Sequence, residues 1–157
     1  MAKNTLQSIE TVLNKIDNDE LLLLKGHLLI EEFLKRRLEM EYGSEVLKAL
    51  DLSFYKKTIL FAGITKLPIE SDIIDWILRI NKLRNKLAHT LELDVRIGFV
   101  DIIRHIYGGL PKTINRKVTY FNAAKKVFYI TLGYISGLIE VNEALKELHV
   151  KSEEKNH

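Results

Sequence analysis

Apolar residues recur three and four positions apart along nearly the whole chain, the spacing of helix faces rather than of alternating strands. A first helix is expected over roughly Thr5 to Ile16, with Leu6, Ile9, Leu13 and Ile16 on one side. Asp17-Asn18-Asp19 reads as a turn and N-cap for a long second helix that runs to about Tyr42 and stops at Gly43. Leu21 to Leu24, Leu28 to Ile30, Phe33, Leu34 and Leu38 surround that helix on almost all sides, which places it in the middle of a bundle. Ser44 and Ser53 are candidate N-caps of two shorter helices, the second ending near Gly63, and Ile64 to Glu70 reads as a loop. Ser71 then caps a helix over about Asp72 to Leu91. Another covers about Val95 to Tyr107 and stops at Gly108-Gly109, and a last one spans about Thr119 to Leu148. The expectation is an all-α fold, a helical bundle of five to six helices. Residues 1–150 should form one domain and residues 151–157 a polar tail.

Composition narrows this only a little. A chain of 157 residues is one domain long. The absence of Cys removes a disulfide framework, a Cys-based zinc site and a thiol nucleophile. The longest apolar-rich stretch, Val127 to Val141, is too short for a membrane span and reads as a buried helix. No basic-then-apolar leader opens the sequence, so a cytoplasmic location and no membrane partner are expected.

Charge is more informative. The net charge is only +3, but two windows lack acids entirely. Trp76 to Leu91 carries Arg79, Lys82, Arg84 and Lys86, and Ile102 to Ile139 carries Arg104, Lys112, Arg116, Lys117, Lys125 and Lys126. Such segregation suits a phosphate-bearing partner. It is equally what two solvated helix faces lacking acids would show.

One segment carries chemistry: Leu83-Arg84-Asn85-Lys86-Leu87-Ala88-His89-Thr90. With Ile73 at zero and ~100° per residue, Ile77, Ile80, Leu87 and Leu91 form one apolar stripe, and Arg84 falls near its centre at ~20°. An arginine there must be paired, line a cleft or meet a second subunit, because an unpaired buried charge is costly. Pairing to Glu31 or Glu32 of the long helix is one such arrangement. His89 lies ~140° around the axis from Arg84 and ~7.5 Å along it, so one copy does not bring the two side chains tip to tip. Asn85 and His89 do share a face. Two copies meeting at a dimer axis would place two arginines and two histidines around one phosphate.

These residue types suit RNA cleavage without a metal. A base takes the proton from the 2′-OH, an acid protonates the 5′-oxygen, and a cation offsets the charge on the pentacoordinate phosphorus. Histidine, with an ordinary pKa of ~6.5, can perform either proton transfer. The planar fork of Arg84 can grip two phosphoryl oxygens, and Asn85 can orient His89 or bind a phosphate oxygen.

The run Arg84-Asn85-Lys86-Leu87-Ala88-His89 resembles the Arg-x(4–6)-His motif of the HEPN superfamily (higher eukaryote and prokaryote nucleotide-binding domains), whose catalytic members carry a polar residue after the arginine. The setting is similar too: a helical bundle, a long early helix and the motif near the end of a later one, over about Leu21 to Ile139. The resemblance implies a dimeric, metal-independent endoribonuclease of the toxin or phage-defence kind, with Arg84, Asn85 and His89 catalytic. It implies no cofactor, RNA as partner, and a separate nucleotidyltransferase-type antitoxin. Other relatives, such as the mannitol operon repressor family, act as regulatory or protein-interaction modules, and that is the alternative.

Lys82, Lys86, Arg116, Lys117, Lys125 and Lys126 are candidates for RNA-backbone contacts, with Tyr120 and Phe121 available for base stacking and Phe121 better read as core. His27 and His105 read as packed or capping histidines. Gly133 and Gly137 permit a close neighbouring helix, by default within the bundle.

Overall fold

A computed structural model describes the backbone of residues 2–154 and the side chains of residues 7–148 and of Lys151. It is all helical. Among the described residues there are seven helices: α1 (Ala2–Asn14), α2 (Asp19–Tyr42), α3 (Ser44–Leu50), α4 (Phe54–Thr65), α5 (Asp72–His89), α6 (Val95–Tyr107) and α7 (Lys117–Glu154). The count is seven rather than the expected five to six, although each of the seven segments, including both short ones after Gly43, falls where a helix was expected. α7 continues through Glu154 into the segment expected as a tail, and residues 155–157 lie outside the described residues.

Local chemistry explains most boundaries. Asn18 accepts a hydrogen bond from the Leu21 N–H at 2.9 Å, and Asp94 accepts one from the Arg96 N–H at 3.0 Å, each satisfying a donor that helix geometry leaves free. Gly43 and Gly108 close α2 and α6 with φ of 83° and 65°, values a side chain resists. α4 runs to Thr65, two residues past the expected stop at Gly63, and Lys66 closes it in the left-handed region at φ 56°.

α2 packs against every other helix and is the centre of the bundle. Its orientation relative to its neighbours follows from side-chain pairs. The Tyr120 hydroxyl bonds Asp19 at one end of α2, and Lys146 bonds the Met40 carbonyl at the other, so α2 and α7 run parallel. His27 bonds Asn81, and Asp75 pairs with His105, placing α5 antiparallel to α6. The last turn of α5 therefore sits at the same end as the first turns of α2, α6 and α7.

Two glycines set how closely these helices approach. A Cβ on Gly26 would overlap the Phe128 ring, and one on Gly98 would overlap the Leu83 side chain. Small residues are required at those crossings. Gly133 and Gly137, expected to face a neighbour, have only open space where a Cβ would be, so the close contacts in this bundle lie elsewhere. The expectation for α2 also needs correction. Leu22, Leu23, Ile30, Leu34 and Leu38 are fully covered, but Leu21, Leu24 and Leu28 stay exposed, because α4 begins only beside His27.

Candidate functional site in the last turns of α5

α5 is electrically graded. Asp72 and Asp75 lie in its first turn and Lys86 and His89 in its last, each sign favoured by the helix dipole. Asp75 is engaged by Arg79 at 2.7 Å and by His105 at 2.6 Å, so His105 makes a tertiary contact across the α5–α6 packing. No acid pairs with Lys82, Arg84 or Lys86 among the described residues.

One side of the helix forms the floor of an open groove of 490 Å³. Asn81, Asn85 and His89, spaced by four, run along it together with Lys82, Lys86 and Thr90, and Tyr55 of α4 also lines it. Lys82 and Lys86 also border a smaller 150 Å³ depression against α6, so they stand between the two. Four of the nine expected site residues thus converge on one cavity.

Arg84 is not among the groove's lining residues. It is half-buried on the apolar side of α5, as its position in the stripe requires. Its Nη1 donates to Asn85 Oδ1 at 3.3 Å, and its remaining nitrogens are neither hydrogen-bonded nor sealed from solvent. Pairing with the long helix does not occur: Glu31 is taken by Lys57 at 2.7 Å, and Glu32 is exposed. Asn85 is therefore the link between guanidinium and groove. Its carbonyl oxygen holds Arg84, which leaves its amine, rather than its oxygen, for a ligand.

Comparison with family models, curated proteins and solved structures finds no match to this chain. The chemistry rests on the residues themselves.

The apolar stripe around Arg84 runs out of cover toward the end of α5. Ile73, Ile77 and Ile80 are buried, Leu87 is half-buried, and Leu91 is fully exposed. A cation beside a half-buried and an uncovered leucine is what a subunit contact would bury.

The second set of cations does not join the groove. Arg116 is exposed and its carbonyl accepts from the Tyr120 N–H as α7 begins. Lys117 stands 5.9 Å from the Phe121 ring centre. Lys125 donates to the Asn14 carbonyl at 3.3 Å, capping the end of α1, and lies 6.0 Å from the same ring. Lys126 is exposed on α7. Tyr120 is 1% exposed and cannot stack on a base: its hydroxyl donates to Asp19 Oδ1 at 2.7 Å and the Arg96 guanidinium covers its ring at 4.7 Å. Burial, then the bond to Asp19, pushes its pKa well up. Phe121 is half-buried against the core, as expected.

Sequence reasoning missed Tyr55, Asn81 and His27 as parts of the site. Asn81 was readable, one turn before Asn85 on the same face. Tyr55 and His27 are brought in from other helices. His27 is 5% exposed, stacked on Phe54 with ring centres 4.2 Å apart, and its Nε2 lies 3.0 Å from Asn81 Oδ1. Burial lowers its pKa against the opposing effect of Asn81, and Arg84 is near enough to lower it further. No group of three or more His, Asp or Glu side chains is placed to hold a metal among the described residues, and no described helix is long and apolar enough to cross a membrane.

Proposed function

We propose that this chain is an HEPN-type endoribonuclease that cleaves cytoplasmic RNA without a metal, at a site two copies complete. The observation that carries the reading is the shared groove: Asn85, His89, Lys82 and Lys86 border one open cavity, and Arg84, outside it, is hydrogen-bonded to Asn85. His89 takes the 2′-OH proton, the 2′-oxygen attacks phosphorus, and the 5′-oxygen leaves as it takes a proton from water. The products are a 2′,3′-cyclic phosphate and a 5′-hydroxyl. Arg84 balances the added negative charge, and the Asn85 amine and the lysines hold neighbouring phosphates.

Within one copy Arg84 and His89 point ~140° apart on a regular helix, so the arginine facing a given His89 comes from the partner. Burial of Leu87 and Leu91, with the exposed leucines of α2, supplies the attraction between copies. A separate nucleotidyltransferase-type protein is the expected antitoxin. The test is cleavage of RNA in EDTA by the wild-type protein, lost in Arg84→Ala and His89→Ala proteins that still melt cooperatively. Full cleavage by either variant overturns the assignment.

A second reading has its own support, since Arg84 faces away from the groove. In it the chain is a non-catalytic regulatory or protein-interaction module, and Arg84→Ala weakens assembly while no RNA is cut.

A further inference from the structure

We propose that the groove binds one unpaired nucleobase of an RNA strand, stacked on Tyr55 and hydrogen-bonded at its edge by the Asn81 amine, with His27 as the positioning residue that fixes the Asn81 amide. This rests on the reading of the groove as an RNA site and names what occupies it beside Tyr55.

Exposed tyrosines are common and by themselves mean little. Tyr55 differs in its surroundings. It is 56% exposed and lines the same 490 Å³ groove as two asparagines, two lysines and His89. An aromatic ring in one groove with hydrogen-bonding amides and cations is the combination by which proteins read single-stranded RNA. A paired base, stacked in a helix, has no free face to offer Tyr55. The cavity falls within the roughly 300–1,000 Å³ of small-molecule sites, large enough for a nucleoside.

The orientation of Asn81 is set from below. Its Oδ1 is the acceptor in the bond to His27 Nε2, so that nitrogen carries the proton and donates. The imidazole cannot turn away, because it is stacked on Phe54 and almost wholly buried. The Nδ2 amine of Asn81 has no protein acceptor among the described residues and is not sealed from solvent. Asn81 thus turns its amine, rather than its oxygen, to a ligand. An asparagine free to use both ends of its amide pairs with adenine in a bidentate fashion, accepting from the adenine amine. With one lone pair of its oxygen engaged and the amide held toward His27, Asn81 is poorly oriented to do so. It favours a base edge bearing carbonyl acceptors, as in uracil, over adenine.

The experiment is equilibrium binding of fluorescein-labelled single-stranded hexanucleotides of 2′-O-methyl uridine or 2′-O-methyl adenosine to the full-length protein. Such strands cannot be cleaved, which separates binding from catalysis. Wild type should prefer the uridine strand. Tyr55→Ala should weaken it about tenfold while Tyr55→Phe retains it, and a methylated duplex should bind the Tyr55→Ala and wild-type proteins equally. His27→Leu frees the Asn81 amide to turn, so it should erase the preference for uridine over adenosine, whereas His27→Gln, which keeps a donor, should restore it. Undiminished binding by Tyr55→Ala, or a preference that survives both Asn81→Ala and His27→Leu, overturns the proposal. Uridine binding of this pattern by a protein that cuts no unmodified RNA would sink the nuclease reading and leave the base site standing.

Discussion

The two acid-free windows have similar charge and opposite fates. In Trp76–Leu91 the cations of the last turns remain free: Lys82 and Lys86 border a groove, and Arg84 meets only a neighbouring amide. In Ile102–Ile139 several are absorbed by the fold. Lys125 caps α1, and Lys117 and Lys125 lie near Phe121. Beside them Arg96, just outside the window, covers Tyr120. A lysine without a nearby acid in sequence is therefore not a free lysine, since helix carbonyls and aromatic faces also take cations. Only where a window ends in an uncovered helix face do its cations border an open groove.

The largest effect expected from this contrast is at the α7 junction. Tyr120→Phe should cost about 1.5–3 kcal/mol in urea unfolding, because the hydroxyl bonds a carboxylate in a buried setting. RNA cleavage at a temperature well below melting should be unchanged. Because the folded pKa of Tyr120 is raised, wild type should also lose stability as pH climbs past about 10, and Tyr120→Phe should lose less. A variant as stable as wild type would make the junction incidental.

Next come the lysines. Lys82→Ala and Lys86→Ala should each flatten the salt dependence of single-strand binding by about 0.7 in log–log slope, with melting unaltered. Lys125→Ala should do the reverse, lowering stability and leaving the slope alone. Equal slopes for all three would erase the distinction between the windows.

The smallest effect belongs to His27. Its folded pKa lies below the ordinary 6.5, so the unfolded chain binds the proton first as pH falls. Melting temperature should be flat above pH 6.5 and drop below it, and His27→Gln should remove that drop. The groups facing this imidazole, Asn81, Glu31, Arg84 and Lys57, are all retained in the variant. A wild-type melting temperature constant down to pH 5 would contradict the buried, neutral histidine.

Much of the helical framework was legible because its boundaries are local. Asn18, Ser53, Ser71 and Asp94 precede helices, and glycines follow two of them. Asn85, His89, Lys82 and Lys86 could be grouped from helical spacing alone, and so could the separation of Arg84 from His89. What depends on tertiary packing was not legible. Tyr120 and Tyr55 are both tyrosines in polar surroundings, yet one is sealed by Asp19 and Arg96 and the other opens into a groove. Gly26 and Gly98, rather than Gly133 and Gly137, mark the tight crossings, because closeness depends on which neighbour faces the glycine.

The central claim is that the arginine and histidine acting on one phosphate come from different copies. Mixing inactive Arg84→Ala protein with inactive His89→Ala protein, under conditions that let subunits exchange, tests it directly. Mixed dimers retain one intact cross-subunit pair, so RNA cleavage should reappear, approaching half that of wild type per mixed dimer. A mixture that exchanges subunits, shown by mass, and still leaves RNA intact would contradict a shared site.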